Sequence, residues 1–167
     1  MSLRSFTVYD VLARNAQAYG GQTALITETG ESYSFRQMLA RVDELAAGLA
    51  QTGLGLGDRL VVLAQNSTSY FELYFAAARQ GIVLYPLNWR WSAEEVAGSL
   101  TRADARGIIV DEQYRDLLPQ VLSPDYVVRA QFDGSPGDGW TPMSGLYQGA
   151  VPERPSVGSD KPFAIIS

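Results

Sequence analysis

Three short, uninterrupted apolar runs, at 60–64, 82–85 and 107–110, alternate with segments of helical periodicity, and this alternation limits the fold more than any other feature. A strand with one wet face would show polar residues at every second position. A run such as Leu60, Val61, Val62, Leu63 and Ala64 has none, so both of its faces must be covered. Strand–helix–strand units at this spacing imply right-handed crossovers and a largely parallel sheet with helices on both faces. The class is therefore α/β.

The helices are marked by their starts and stripes. Thr7 and Asp10 open a segment whose apolar residues Val8, Val11, Leu12, Ala16 and Tyr19 fall on one stripe, ended by Gly20 and Gly21. Two short stretches, 24–27 and 32–35, flank a turn at Gly30 and predict an N-terminal hairpin. Ser34 with Gln37 fits a capping box, and Phe35, Met38, Leu39, Val42, Leu45, Ala46 and Leu49 recur behind it at threes and fours. Asn66 and Ser67 are cap candidates, and Ser69 with Glu72 offers another box. The helix behind them is apolar over much of its circumference, which predicts burial of Phe71, Tyr74 and Phe75. Ser92 with Glu95 caps a helix through Val96 and Leu100, Asp111 begins a short one through Leu117 and Leu118, and 126–130 reads as a strand. From 133 to 162 Gly, Pro, Ser and Asp predict a long loop, after which Phe163, Ala164, Ile165 and Ile166 return to strand character.

Composition removes several functions. The chain has 167 residues, 46% hydrophobic and 19% charged, enough for one core or one piece of a larger domain. A net charge of -5 with scattered arginines and Lys161 as the sole lysine argues against a nucleic-acid partner. Histidine and cysteine are both absent, which removes disulfides, thiol nucleophiles, Cys/His metal sites and Ser-His-Asp triads. The opening residues, Met1 to Phe6, carry no apolar leader, and no run approaches the ~20 residues that a transmembrane helix needs. The expectation is a cytoplasmic protein.

The local motifs read mostly as structure. Gly53, Gly55 and Gly57 follow a helix and precede a strand, the reverse of a dinucleotide fingerprint, so a helix end and tight turn are expected. Gly134, Gly137 and Gly139 stand among prolines with no helix behind them, and no P-loop pattern occurs. The adjacent acids Asp43 and Glu44, Glu94 and Glu95, and Asp111 and Glu112 suit helix surfaces and caps. For Trp89, Arg90 and Trp91 two readings stand: indoles packed inward with Arg90 facing out, or Arg90 stacked on the indoles and free to recognise a carboxylate.

Four segments in order resemble the adenylate-forming superfamily of acyl-CoA synthetases, luciferases and peptide-synthetase adenylation domains. Residues 33–49 are similar to the family's "L-T-Y-x-E-L" segment and helix, and 57–67 to its "G-D-R-V-x-x-x-x-x-N-S" strand and cap. Residues 75–88 resemble "L-A-x-x-K-A-G-A-x-x-x-P-L-N", and 91–96 the "L-S-x-x-E-L" that follows. Gln80 stands where the family usually has Ala, and Trp91 where it has Leu. Pro86, Leu87, Asn88, Trp89 and Arg90 are closer to fatty-acyl and aryl CoA ligases than to peptide-synthetase domains.

The resemblance implies that residues 1–167 are an N-terminal fragment of an AMP-binding domain. The parent enzyme would convert a carboxylic acid to acyl-AMP with ATP and Mg²⁺, then to a thioester with CoA. Residues 161–167 would lead into a Thr/Ser/Gly-rich loop that holds the phosphates, and that loop is not in the sequence. Nor are the family's ribose-binding Asp, acidic metal residue and catalytic Lys. No catalytic, cofactor-binding or metal residue is therefore assigned, and no cofactor is expected on the fragment, which would act as inactive scaffold. The resemblance admits a homodimer. The alternatives are an adenylation domain loading a carrier protein and a free-standing flavodoxin-like or receiver-like module. A flavodoxin-like module would need a Ser/Thr/Gly phosphate loop after its first strand and a receiver-like one an Asp at a central strand end; Gln65 follows 60–64, and the other strand ends read no better.

Overall fold

The computed structural model describes residues 6–150, 152–158 and 160–166. The residues read for a leader, Met1 to Ser5, lie outside that range, as does Ser167. Helix α1 (Val8–Tyr19) is followed by a hairpin of β1 (Thr23–Ile26) and β2 (Ser32–Ser34) and by α2 (Phe35–Gln51). Then come β3 (Arg59–Leu63), α3 (Thr68–Gln80), β4 (Val83–Pro86), α4 (Ala93–Ala103) and β5 (Gly107–Val110). A 3-10 helix (Glu112–Leu117), β6 (Val128–Gln131), β7 (Thr141–Pro142) and a second 3-10 helix (Met143–Leu146) complete the elements.

Strands β3 to β7 form one parallel sheet in the order β4-β3-β5-β6-β7. Alternation along β3 feeds two separate cores. Leu60 and Val62 pack with α1, α2 and α3 on one face, whereas Val61 and Leu63 pack with Val96 and Ala103 of α4 and Tyr114 on the other. The expected α/β architecture with helices on both faces and a hairpin at the start is what forms. Ser34 and Ser92 cap α2 and α4 as the sequence predicts, each accepting from the backbone N–H three residues on.

Helix α3 differs from expectation in two ways. Its cap is Ser67, one of the two candidates read from the sequence, with Oγ accepting from the Tyr70 N–H at 3.2 Å, but the expected box of Ser69 and Glu72 does not form. Glu72 is instead fully buried, paired with Arg41 Nε at 2.5 Å and Nη2 at 3.0 Å, and accepting from Tyr147 Oη at 2.5 Å. Phe71 is 45% exposed, set edge-on to Phe75, and Tyr74 and Phe75 are only half-buried. The apolar arc of α3 is wider than the surface available to cover it. Leu73, Ala76 and Ala77 take the buried positions.

The 133–162 stretch is less of a loop than its composition suggests. It contains β7 and a 3-10 helix whose Met143 and Leu146 are buried. Gly48 makes room for this in the middle of α2, because a Cβ there would lie 1.8 Å from the Leu146 carbonyl oxygen. Further on, Arg154 pairs with Asp10 at 2.6 Å. Residues 163–166 make a single bridge rather than a full strand. Ala164 pairs in parallel with Leu84 on the outer edge of β4, while Phe163 and Ile166 stay exposed because nothing among the described residues covers the far side.

Two predictions follow from this packing. Leu73→Ala should lower unfolding free energy by about 2–5 kcal/mol, whereas Phe71→Ser should cost about 1 kcal/mol or less, as read from urea midpoints. The second concerns Asp10, whose carboxyl is lowered from 3.8 to about 2, chiefly by its hydrogen bond to Arg154. A depressed carboxylate stabilises the fold above its unfolded pKa and loses that contribution as pH falls through the folded value. Asp10→Asn should therefore be less stable than wild type by about 2 kcal/mol near pH 5, and the gap should close between pH 4 and 2.

Candidate functional site

Counted from β3, the sheet order is that of a doubly wound 2-1-3-4-5 fold, in which ligands bind outside the carboxyl ends of the strands where the connections part to opposite faces. Here that point lies between β3 and β5. The chain leaving β3 turns to α3 on one face, and the chain leaving β5 turns to the 3-10 helix bearing Tyr114 on the other.

Asp111 sits in this crevice, directly after β5 and 8% exposed. Its Oδ2 accepts from the Gln65 N–H at 2.8 Å, so it ties the ends of the two central strands together. Burial pushes the Asp111 carboxyl up; the Gln65 N–H works against this, and the charge of Asp133 adds to it. The Gln65 amide donates to Tyr114 Oη at 2.6 Å, and Tyr114 stacks on Trp89, with centroids 6.1 Å apart. Arg90 is exposed, with its guanidinium 4.1 Å above the Trp89 ring. Both readings of the Trp89–Trp91 cluster thus hold in part: the indoles are half-buried in the second core, and the arginine stacks on one of them from outside. On the other face Tyr70 stacks on Tyr74 and meets Phe132 at a tilt.

The acidic pairs divide. Glu95 caps α4 as expected, with Oε2 accepting from Ser92 at 2.8 Å. Asp43 and Asp111 depart from the surface reading. Asp43 accepts from Tyr9 Oη at 2.8 Å and Arg79 Nε at 2.9 Å, binding three helices together. Asp111 was legible as an acid immediately behind four buried residues, and the structure puts it at the end of a central strand, where the sequence reading expected no such acid.

The crevice is not a phosphate cradle. The N-terminus of α3 is already filled by Glu28 from the hairpin, which accepts from both the backbone N–H and the hydroxyl of Thr68. Gly53 and Gly57 have positive φ of 91° and 86° in a turn that follows α2, as the sequence predicts. Among the described residues no group of three or more acidic side chains could hold a metal ion. Among them, too, no helix is long and apolar enough to cross a membrane.

A doubly wound parallel sheet with a polar crevice at its switch point defines a protein of the α/β class. Within that class the AMP-binding enzyme family profile matches residues 12–166, and the chain belongs to that family. Among curated relatives, it is 25% identical over 160 residues to the fatty acid–[acyl-carrier-protein] ligase ScoC of Streptomyces coeruleorubidus, covering 95% of this chain and 30% of that one. It is 32% identical over 117 residues to a long-chain-fatty-acid–CoA ligase of Thermus thermophilus, covering 68% and 21%. Its fold matches the N-terminal domain of FACL13 from Mycobacterium tuberculosis with a TM-score of 0.78 at 23% identity, over 96% of this chain and 41% of that one. The chain spans under a third of the length of the curated relatives it matches.

The crevice yields a test of its own. A raised carboxyl pKa means that ionised Asp111 costs stability, a cost absent below 3.8 and complete above the folded-state value. Asp111→Asn keeps an oxygen for the Gln65 N–H and removes the charge. Its urea midpoint at pH 7 should equal or exceed that of wild type, with any gain vanishing below pH 3.8.

Proposed function

We propose that this chain is scaffold for an ATP-dependent acyl-CoA synthetase, which joins a carboxylic acid to CoA by way of an acyl-AMP. The observation that carries the proposal is the family match across 12–166 in a chain that spans under a third of the length of the curated relatives it matches. In this reading, residues 1–167 are an N-terminal piece of the AMP-binding domain. They present the sheet and its helices to a remainder that supplies the chemistry, in the cytoplasm where ATP and CoA are at hand. The similarity to a Thermus CoA ligase and the Pro86–Arg90 segment favour CoA as acceptor.

The similarity to ScoC, which runs across nearly the whole chain, keeps a second reading in view, in which the acyl group passes to a carrier protein. The two are separated by giving the full-length gene product a panel of fatty and aromatic acids with either CoA or phosphopantetheinylated carrier, and following the thioester. Exchange of pyrophosphate into ATP tests the scaffold assignment. The full-length protein should show acid-dependent exchange, and the 167-residue chain should show none. Exchange by the 167-residue chain would place the chemistry within it and overturn the proposal.

A further inference from the structure

Residues 152–158 cross from the helical layer to the sheet edge with little packing to hold them: of this segment only Val157 is buried. Beside Val157 lies a largely apolar cavity of about 180 Å³, walled also by Val8, Ala78, Ile82 and Phe163. A segment that runs beside a void gains little from dispersion, so its path must be fixed at its ends. At the far end the fixing is backbone pairing: Leu84 N–H donates to Phe163 O at 3.0 Å and Ile165 N–H to Leu84 O at 2.8 Å.

At the near end it is a clasp of two arginines around one tyrosine. Arg154 donates to both oxygens of Asp10, Nη1 at 2.6 Å and Nη2 at 2.8 Å, and to Thr7 Oγ1 at 2.9 Å. Its guanidinium also lies 4.9 Å from the centre of the Tyr9 ring. Arg79 lies 5.6 Å from the same ring, is held by Asp43, and donates Nη2 to the Pro152 carbonyl at 3.0 Å. Asp10 is 3% exposed, and its Oδ2 also accepts from the Thr7 N–H at 2.7 Å. A bidentate guanidinium on a fixed, buried carboxylate defines position and direction as well as attraction, which a lysine cannot do.

We propose that Arg154 is a positioning residue: its clasp on Asp10 and Thr7 sets the path by which residues 155–158 and 160–165 approach β4, and so the register of Ala164 against Leu84. The proposal rests in part on the ligase reading, because the consequence for turnover follows only if the segment beyond Ile166 handles the nucleotide.

The test compares Arg154→Ala and Arg154→Lys with wild type. In hydrogen–deuterium exchange on the 167-residue chain, Arg154→Ala should speed exchange at least tenfold at Leu84 and Ile165, leaving β3 and β5 unchanged. Arg154→Lys should recover part of the protection. In the full-length protein Arg154→Ala should raise KM for ATP three- to tenfold with kcat changed less than twofold. Unchanged exchange at Leu84 and Ile165, or faster exchange spread evenly through the sheet, would overturn the positioning role. A wild-type protein that shows the exchange pattern but no acid-dependent pyrophosphate exchange would sink the ligase reading and leave the clasp standing.

Discussion

The two-sided burial of β3 is the constraint from which the rest of the architecture follows. Leu60, Val61, Val62 and Leu63 are all fully buried, so this strand can be stable only with a helical layer on each face. Right-handed crossovers then leave little choice. The connection through α3 places β4 on one side, and the next, through α4 on the opposite face, returns past β3 to β5. That reversal opens a crevice between the ends of β3 and β5, and it brings Asp111 to the Gln65 backbone.

Sequence periodicity exposed much of this, because it records burial directly. Both correct capping boxes, the hairpin, the helix end at Gly53 and the central strands could be read from local pattern, since each is determined within a few residues. What stayed hidden depended on contacts far along the chain. Glu72 looks like an ordinary cap partner until Arg41 and Tyr147 are brought to it, 31 and 75 residues away in sequence. Phe71 looks buried because apolarity reveals a tendency, whereas exposure depends on whether a neighbour arrives. The 133–162 stretch looks structureless because Gly and Pro dominate its composition, yet Met143, Leu146 and Val157 are buried and Arg154 ties it to Asp10. Gly48 gave no local sign of its purpose: the residue it accommodates lies nearly a hundred positions later. Gln80, a departure from the family pattern, fits because its amide donates to the Ala46 carbonyl at 3.2 Å.

Of the site, the sequence showed the polar residues after β3 and the Trp89–Trp91 cluster, but not that Asp111 and Tyr114 join them. Spatial convergence at a switch point is a property of strand order, and strand order is not written in any one segment. The aromatic and amide contacts there form one connected unit, from Asp111 through Gln65 and Tyr114 to Trp89 and Arg90. Moving any one of these residues would move the others, which makes the crevice wall stiff.

The distribution of ionised groups separates support from chemistry. Arg41 with Glu72, Arg79 with Asp43, and Arg154 with Asp10 all join helices to one another or to the 133–162 stretch. Taking such pairs out of water is costly, and the cost is offset only when nearly every lone pair finds a donor. Glu72 has Arg41 and Tyr147, Asp43 has Tyr9 and Arg79, and Asp10 has Arg154 and Thr7. Glu72 and Asp10 have both carboxylate oxygens engaged in this way, whereas Asp43 takes both of its donors on Oδ1. Asp111 differs: it has one N–H partner among the described residues, a carboxyl pushed upward by burial, and a place in the crevice. Asp111 thus stands apart at the carboxyl ends of β3 and β5, a buried acid whose protonation could still respond to what binds beside it.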